Sequence, residues 1–343
     1  GAKLSQILQQ PIAVSDQQLQ FYPSIGVCLY PQDGQSAENV MDNAHSAMRR
    51  AKADRSRDLF FYSQKLKQDF LDRSTLEQDL VIALEKGQFE LYFQPQITTK
   101  NNTITGVEAL LRWHHPTRGL IPPSEFIPIA ESSGFIIHIG EWVLQAACRQ
   151  GMSWINQGIK ELRVAVNISP AQLGGSDLVN LVTRTLERSG FPAHLLELEL
   201  TENIFIEDIA LVQETLKKLK SIGVQLAVDD FGTGYSSLSY LQKFYFDRIK
   251  IDQSFVRDIE TNTNTAEITL LIIEMAHRLR LGVIAEGIET KQQQNYLAAQ
   301  SCEEIQGFYF SKPLTAQKLT PLLLGVSEVE TSSARQEHWS SKP

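Results

Sequence analysis

Cysteine is scarce in this chain. Cys28, Cys148 and Cys302 form an odd set, far apart and each set in an apolar run. That excludes a disulfide framework or a zinc site and reads as reduced thiols of a cytoplasmic protein. No apolar run reaches the roughly 20 residues that a membrane helix requires, and the opening residues do not have the form of a signal peptide. A cytoplasmic location is therefore expected, with room for an upstream sensor or membrane anchor in the full-length protein. Positive charge is in deficit, with 32 Lys and Arg against 40 Asp and Glu, a net charge of -8. Non-specific binding to a nucleic acid polymer rests on basic surface, so it is not expected. A small nucleotide held through metal ions stays open.

What is present is 343 residues with 42% hydrophobic content, enough for one large domain and a smaller unit. The stretch LAVDDFGTGYSSL at residues 226–238 organises the rest. An apolar strand there runs into Asp229 and Asp230 and then into a loop punctuated by Gly232 and Gly234. Successive strand residues alternate faces, so two adjacent acids reach one cleft only where the strand ends and the chain bends. The glycines are expected to supply that bend.

From residue 63 onward the pattern changes. Leu66, Phe70, Leu71, Leu76, Leu80 and Leu84 recur near helical spacing, which predicts a connecting helix, 63–77, leading into a new domain over 78–325. Apolar strand-like runs then fall at 89–94, 104–111, 162–168, 195–200, 224–228, 248–251, 283–285 and 305, alternating with amphipathic helical stretches. Eight strands with intervening helices over about 250 residues is the rhythm of an α/β fold of the (β/α)8 TIM-like barrel type. Residues 326–343 lose periodicity and are expected to be a disordered tail.

Polar residues recur at the expected C-terminal ends of these strands: Glu108 with Arg112, Asn167, Glu199 with Glu202, Asp229 with Asp230, Lys250 with Asp252, Glu286 with Glu289, and Gln306. A single acid at a strand end is usually a helix cap or a surface charge. Capping does not explain a whole series, and in a barrel those ends share the face that carries the active site. Glu108, Glu199, Asp229, Asp230 and Glu286 cannot all ionise in one cleft unless cations compensate them. Oxygen donors with one amide, and neither His nor Cys, point to Mg2+ or Mn2+. The carboxylates are too many for one Mg2+ and suit two ions that share a bridging acid, as in in-line phosphoryl displacement. Lys250 and Arg112 supply positive charge for phosphate oxygens. His114 and His115 fall in a turn, HHPTRG, and read as solvated loop residues; His138 and His277 read as packing or surface residues.

The motifs EALLRW (108–113), NIS (167–169), ELTE (199–202), DDFGTGYSSL (229–238), IKID (249–252), AEGIE (285–289) and QGFYFSKPL (306–314) together resemble EAL-domain cyclic-di-GMP phosphodiesterases over residues 78–322. The resemblance implies a barrel whose first strand is antiparallel to the others, and hydrolysis of cyclic di-GMP to linear pGpG. It implies that Glu108, Asn167, Glu199 and Asp229 hold one metal and that Asp229, Asp230 and Glu286 hold the second. Lys250 would position the nucleophilic water. Gln94 and Arg112 would touch the substrate, and Gln306 would brace the water or the second-metal shell on the substrate side. Glu286 is either a ligand alone or also a general base. Glu202 is grouped with the catalytic residues as the acceptor that holds the loop after Asp230. The segment 231–240 and the helix after it are expected to join two copies into a homodimer. The alternative is a catalytically weak cyclic-di-GMP receptor, in which the pocket is kept and ligands are lost.

Upstream, SIGVCLYPQDG (24–34) and DNAHSAMRRAKADRSRDLFFY (42–62) resemble the C-terminal part of a GGDEF, diguanylate cyclase-like, domain. They predict a strand at 24–29, a helix at 37–53 and a strand at 59–62, in a partial α+β segment over 1–62. The hairpin that gives that family its name is absent from the sequence, so cyclase activity is not expected from this chain.

Overall fold

The computed structural model describes residues 7, 12–14, 17–19, 22–53, 58–175, 177–202, 209–233, 241 and 244–326. The expected tail beyond residue 326, and residues 234–240 of the expected dimer segment, lie outside the described residues. The chain divides into two compact units, Gly1–Ile82 and Ala83–Pro343.

In the first unit, β1 (Ile12–Val14) and β2 (Gln17–Leu19) form an antiparallel pair that the sequence pattern does not announce. β3 (Ile25–Val27) and β4 (Leu59–Phe61) pair in parallel, with the helix Ala37–Ala53 between them in sequence. That helix starts beside Ser36, whose hydroxyl oxygen accepts from the Asn39 N–H at 3.2 Å, and it buries Ala47 and Ala51. The helix Gln64–Glu85 follows and buries Leu76, Leu80 and Ala83.

The second unit is a closed barrel. Its strands are β5 (Phe89–Thr98), β6 (Ile104–His115), β8 (Arg163–Ile168), β9 (Leu196–Thr201), β10 (Gln225–Phe231), β11 (Arg248–Ile251), β12 (Gly282–Ala285) and β13 (Glu304–Ile305), with β7 (Gly119–Ile121) added on β6 and β14 (Leu314–Thr315) on β5. From β6 through β13 the neighbours in the ring are parallel. β5 closes the ring antiparallel to both β6 and β13. The reversed first strand is therefore present. Parallel strands packed on both faces read as near-continuous apolar runs, which is why Val164, Val166, Ile249, Ile251, Val283 and Ile284 are all buried.

Helices cover the ring: Ile136–Asn156, Leu178–Ser189, Ile209–Ile222, Thr263–Arg278 and Lys291–Ala299. In the first of these, Val143, Leu144, Ala147, Cys148, Gly151 and Trp154 recur at helical spacing and face inward. Cys148 and Cys302 are both buried.

Two expectations change. Glu108 and Arg112 do not sit at a strand end but inside β6, which extends to His115 because β5 on one side and β7 on the other supply pairing partners along its length. His115 is buried rather than solvated, and its Nδ1 accepts from the Thr117 and Arg118 N–H groups, each at 3.2 Å. His114 is exposed and lies 2.7 Å from Glu90.

Candidate active site

Each of the eight barrel strands delivers a polar side chain to one place. β5 brings Gln94, β6 Glu108, β8 Asn167, β9 Glu199, β10 Asp229 and β11 Lys250, while Glu286 and Gln306 follow directly on β12 and β13. The last two are held by strand-like bonds, Glu286 N–H to Ile251 O at 3.0 Å and Gln306 N–H to Ala285 O at 2.9 Å.

Lys250 is the centre. It is 1% exposed, and its Nζ lies 2.7 Å from Glu199, 2.9 Å from Asp229, 2.7 Å from Glu286 and 3.7 Å from Glu108. Burial alone would push the ammonium down, but Asp229, Glu108, Glu199 and Glu286 outweigh it and hold its pKa well above that of an ordinary lysine. One cation does not neutralise four carboxylates. Burial, with the neighbouring acids adding to it against Lys250, pushes the Glu286 carboxyl up to about 8 and raises Glu199 well above the usual range.

Glu108 is occupied from two further sides. Asn167 Nδ2 donates to its Oε1 at 2.6 Å, and Gln306 Nε2 donates to its Oε2. Gln306 Nε2 also donates to Gln94 Oε1 at 3.1 Å, and Gln94 Nε2 donates to the Ser311 carbonyl at 3.2 Å. Arg112, four residues along the same strand, has no ion pair among the described residues; its Nη1 donates to the Leu111 carbonyl at 2.8 Å and its guanidinium lies 5.4 Å from the Tyr92 ring centroid, within electrostatic reach of Glu108.

The adjacent acids are made to converge by the backbone. The β10–β11 register shifts between Val228 and Phe231, and Asp230 adopts φ 53°, in the left-handed region that Asp tolerates better than most residues. The bend therefore falls on Asp230 itself, ahead of the glycines, and the strand resumes to Phe231. Gly232 continues it at φ 99°, where a Cβ would stand 2.7 Å from the Phe255 ring. Glu202, just past β9, accepts from the Gly232 N–H at 3.1 Å and so ties this bend to the neighbouring strand. Asp230 is half-buried, and burial, followed by Asp229 and Asp252, pushes its pKa up to about 6.

The donor set fits hard divalent cations. Asp229, Asp230 and Glu286 each offer an oxygen within 4.8 Å of the others. Glu199 Oε1 is buried without a hydrogen-bond donor, whereas Asp229 Oδ1 and Glu286 Oε1 share the one Lys250 ammonium, at 2.9 and 2.7 Å. A buried carboxylate oxygen without a donor is costly unless a cation answers it.

A second ionic layer lies outside the motifs read from the sequence. Arg163 pairs with Glu197 at 3.2 Å and Glu304 at 2.5 Å, and Arg248 with the same two acids at 3.0 and 2.8 Å. Gln96 joins this layer to the site through Gln306, to whose Oε1 it donates at 3.0 Å. The signal was available in the alternation of LELELT, which puts Glu197 and Glu199 on one face of β9.

A reversed-strand α/β barrel with a carboxylate-rich centre around one buried lysine is the class that fold and site define. The EAL domain model matches residues 77–313, and the diguanylate cyclase, GGDEF domain model matches residues 2–58. The chain belongs to the EAL domain family. It is 40% identical over 321 residues to the cyclic di-GMP phosphodiesterase NbdA of Pseudomonas aeruginosa, covering 94% of this chain and 41% of that protein. It is 39% identical over 318 residues to the bifunctional diguanylate cyclase/cyclic di-GMP phosphodiesterase MucR of the same organism, covering 92% and 46%. The chain thus spans less than half the length of these relatives. Among solved structures, the PaMucR phosphodiesterase in complex with c-di-GMP matches with a TM-score of 0.69 at 40% identity, over 71% of this chain and 99% of that one.

Proposed function

We propose that this chain hydrolyses one phosphodiester of cyclic di-GMP to give linear pGpG, with two divalent ions, Mg2+ or Mn2+, as cofactors. The observation that carries the reading is the excess of buried carboxylate over cation around Lys250, on a chain similar to cyclic di-GMP phosphodiesterases over nearly its whole length.

Glu108, Asn167, Glu199 and Asp229 would hold one ion, and Asp229, Asp230 and Glu286 the other. Bound there, such ions would supply Lewis acidity toward phosphoryl oxygens and offset the carboxylate charge. Lys250, fixed by its ion pairs, holds a proton at Nζ and would orient the attacking water. Gln94 and Gln306 present amides beside Glu108, where they would orient substrate, and Arg112 on the same strand would meet a phosphate or base. Glu202 would act by holding the Asp230–Gly232 bend. Glu286, with its raised pKa, is suited to act as ligand or as general base.

The wider reading includes a GGDEF-like fragment over 1–62, a connecting helix over 63–77, an EAL domain over 78–325, a cytoplasmic location, and a homodimer formed through 231–240 and the following helix. No described helix is long and apolar enough to cross a membrane.

The test is incubation with cyclic di-GMP and Mg2+, Mn2+ or Ca2+, following pGpG by chromatography. Hydrolysis is expected with Mg2+ or Mn2+ and suppression with Ca2+, which prefers more ligands at longer distances. Glu108→Ala should abolish it while leaving the barrel folded. Tight binding of cyclic di-GMP without pGpG in any metal would replace the enzyme by a receptor.

A further inference from the structure

We propose that Gln96 is a positioning residue that fixes which end of the Gln306 amide faces Glu108. The proposal rests on the assignment of Glu108 to a cation site.

Gln96 is wholly buried in β5, two residues past Gln94 and therefore on the same face. Its Oε1 accepts from Arg163 Nη2 at 2.9 Å, and its Nε2 donates to Gln306 Oε1 at 3.0 Å. Gln306 Nε2 then donates to Glu108 Oε2 and to Gln94 Oε1. The two ends of this relay are chemically unequal. A guanidinium only donates, and an ionised carboxylate only accepts. Two amides strung between them have one arrangement that satisfies every link. Turning either amide end for end sets oxygen against oxygen and nitrogen against nitrogen. Arg163 is itself anchored by Glu197 and Glu304 and is almost fully buried, so it cannot swing away to accommodate a reversed amide. The members are all buried, where polarised hydrogen bonds are strongest and a mismatch most costly.

Gly106 gives a second, independent sign that the link is built. In register it lies between the two partners, opposite Gln96 on β5 and opposite Arg163 on β8. A Cβ at this position would stand 2.8 Å from Gln96 Oε1 and 3.1 Å from Arg163 Nη2. The glycine thus leaves room for the Arg163–Gln96 bond. Gln96 has no hydrogen bond to Glu108 among the described residues, so its bonded path to Glu108 runs through Gln306.

The experiment uses the 343-residue chain and titrates Mn2+ without substrate, reading the midpoint of the Mn2+-induced rise in melting temperature. Two variants break the link differently: Gln96→Met removes both hydrogen bonds at similar length, and Gly106→Ala keeps every polar group and wedges the pair apart. In each, the Mn2+ midpoint should rise by about threefold to tenfold, the equivalent of one hydrogen bond. In a Gln306→Ala background, Gln96→Met should cause no further rise, because the path to Glu108 is already cut. Equal midpoints in wild type and both variants, an additive rise in the double variant, or no Mn2+ response in the wild type would each overturn the proposal. Should Gln96→Met fail to fold by circular dichroism, Gly106→Ala carries the comparison. A wild type that responds to Mn2+ but forms no pGpG would remove the hydrolase reading and leave this one standing.

Discussion

Replacing Lys250 by Met removes the one cation among the described residues that pairs with Glu199, Asp229 and Glu286 while keeping an unbranched stem in the same space. Breaking a buried charge pair by deleting one partner typically costs about 3 to 5 kcal/mol. In a domain of this size each kcal/mol moves the melting temperature by about 2 to 4 °C, so a fall on the order of 10 °C is expected in EDTA. The loss should depend on pH, and its sign is fixed. Glu199 and Glu286 already have folded pKa values above the usual carboxylate range, Glu286 at about 8. The folded state therefore binds more protons than the unfolded one between the unfolded carboxylate value, about 4.3, and pH 8, and stability falls as pH rises through that window. Without Lys250, which lowers both carboxylates, the folded values climb further. The gap between wild type and variant should thus be smallest near pH 5 and widest near pH 8. The assay is thermal unfolding by circular dichroism in EDTA across that range, with Mn2+ added back. A gap that is absent, or constant with pH, would refute the assignment of Lys250 as the electrostatic hub.

Gly232→Ala places a Cβ at φ 99° and 2.7 Å from the Phe255 ring; it should lower chemical-denaturation stability by about 1 to 3 kcal/mol and depress turnover more than a strain-free glycine substitution elsewhere. A variant with wild-type turnover and stability would show that the bend at Asp230 is not held by this residue. Glu202→Ala removes the acceptor of the Gly232 N–H; pGpG formation should fall and the Mg2+ concentration for half-maximal rate should rise, whereas an unchanged Mg2+ response would take Glu202 out of the mechanism. Native alkylation with iodoacetamide followed by peptide mass spectrometry should mark Cys28 alone, because Cys148 and Cys302 are buried and burial raises both thiols, Cys148 to about 12. Early labelling of Cys302 would mean that the wall behind β13 opens.

The barrel was legible because buried parallel strands leave apolar runs of strand length, and all eight appear where those runs lie. The reversal of β5 left no mark in periodicity, since an antiparallel buried strand has the same alternation as a parallel one; only the motif resemblance carried it. Glu199, Asp229, Lys250 and Glu286 were legible as acids and a lysine interrupting apolar strands. Glu108 falls within the expected run 104–111, but the extension of β6 past Arg112 to His115 leaves no mark in the sequence, because strand length depends on the partners β5 and β7. The sequence pattern points to Gly232 and Gly234 for the bend; Gly232 does take a positive φ, but the bend begins ahead of it, at Asp230, and Gly234 lies outside the described residues. A bulge between Val228 and Phe231 is a mismatch between two strands, and neither strand's sequence contains it. Gln96 carries no signal in its own stretch for the same reason: its partners are Arg163 and Gln306, 67 and 210 residues away.

The two ionic layers differ in a way that bears on function. In the layer of Arg163 and Arg248, two guanidiniums meet Glu197 and Glu304, and the Arg pairings hold the Glu304 pKa below its ordinary value despite burial. That layer is balanced and has no excess charge to lend. Around Lys250 a single ammonium meets Glu108, Glu199, Asp229 and Glu286. No other cation among the described residues pairs with these acids, and the neighbouring layer is itself neutral, its Glu197 adding to the upward push on Glu199, so relief comes from protons or from added cations. Protons and the proposed divalent ions would therefore compete for the same carboxylates. Raising the pH through the window below about 8 strips protons from Glu286 and strengthens the demand for a cation, so tighter binding of the proposed metal and lower metal-free stability would follow from one cause.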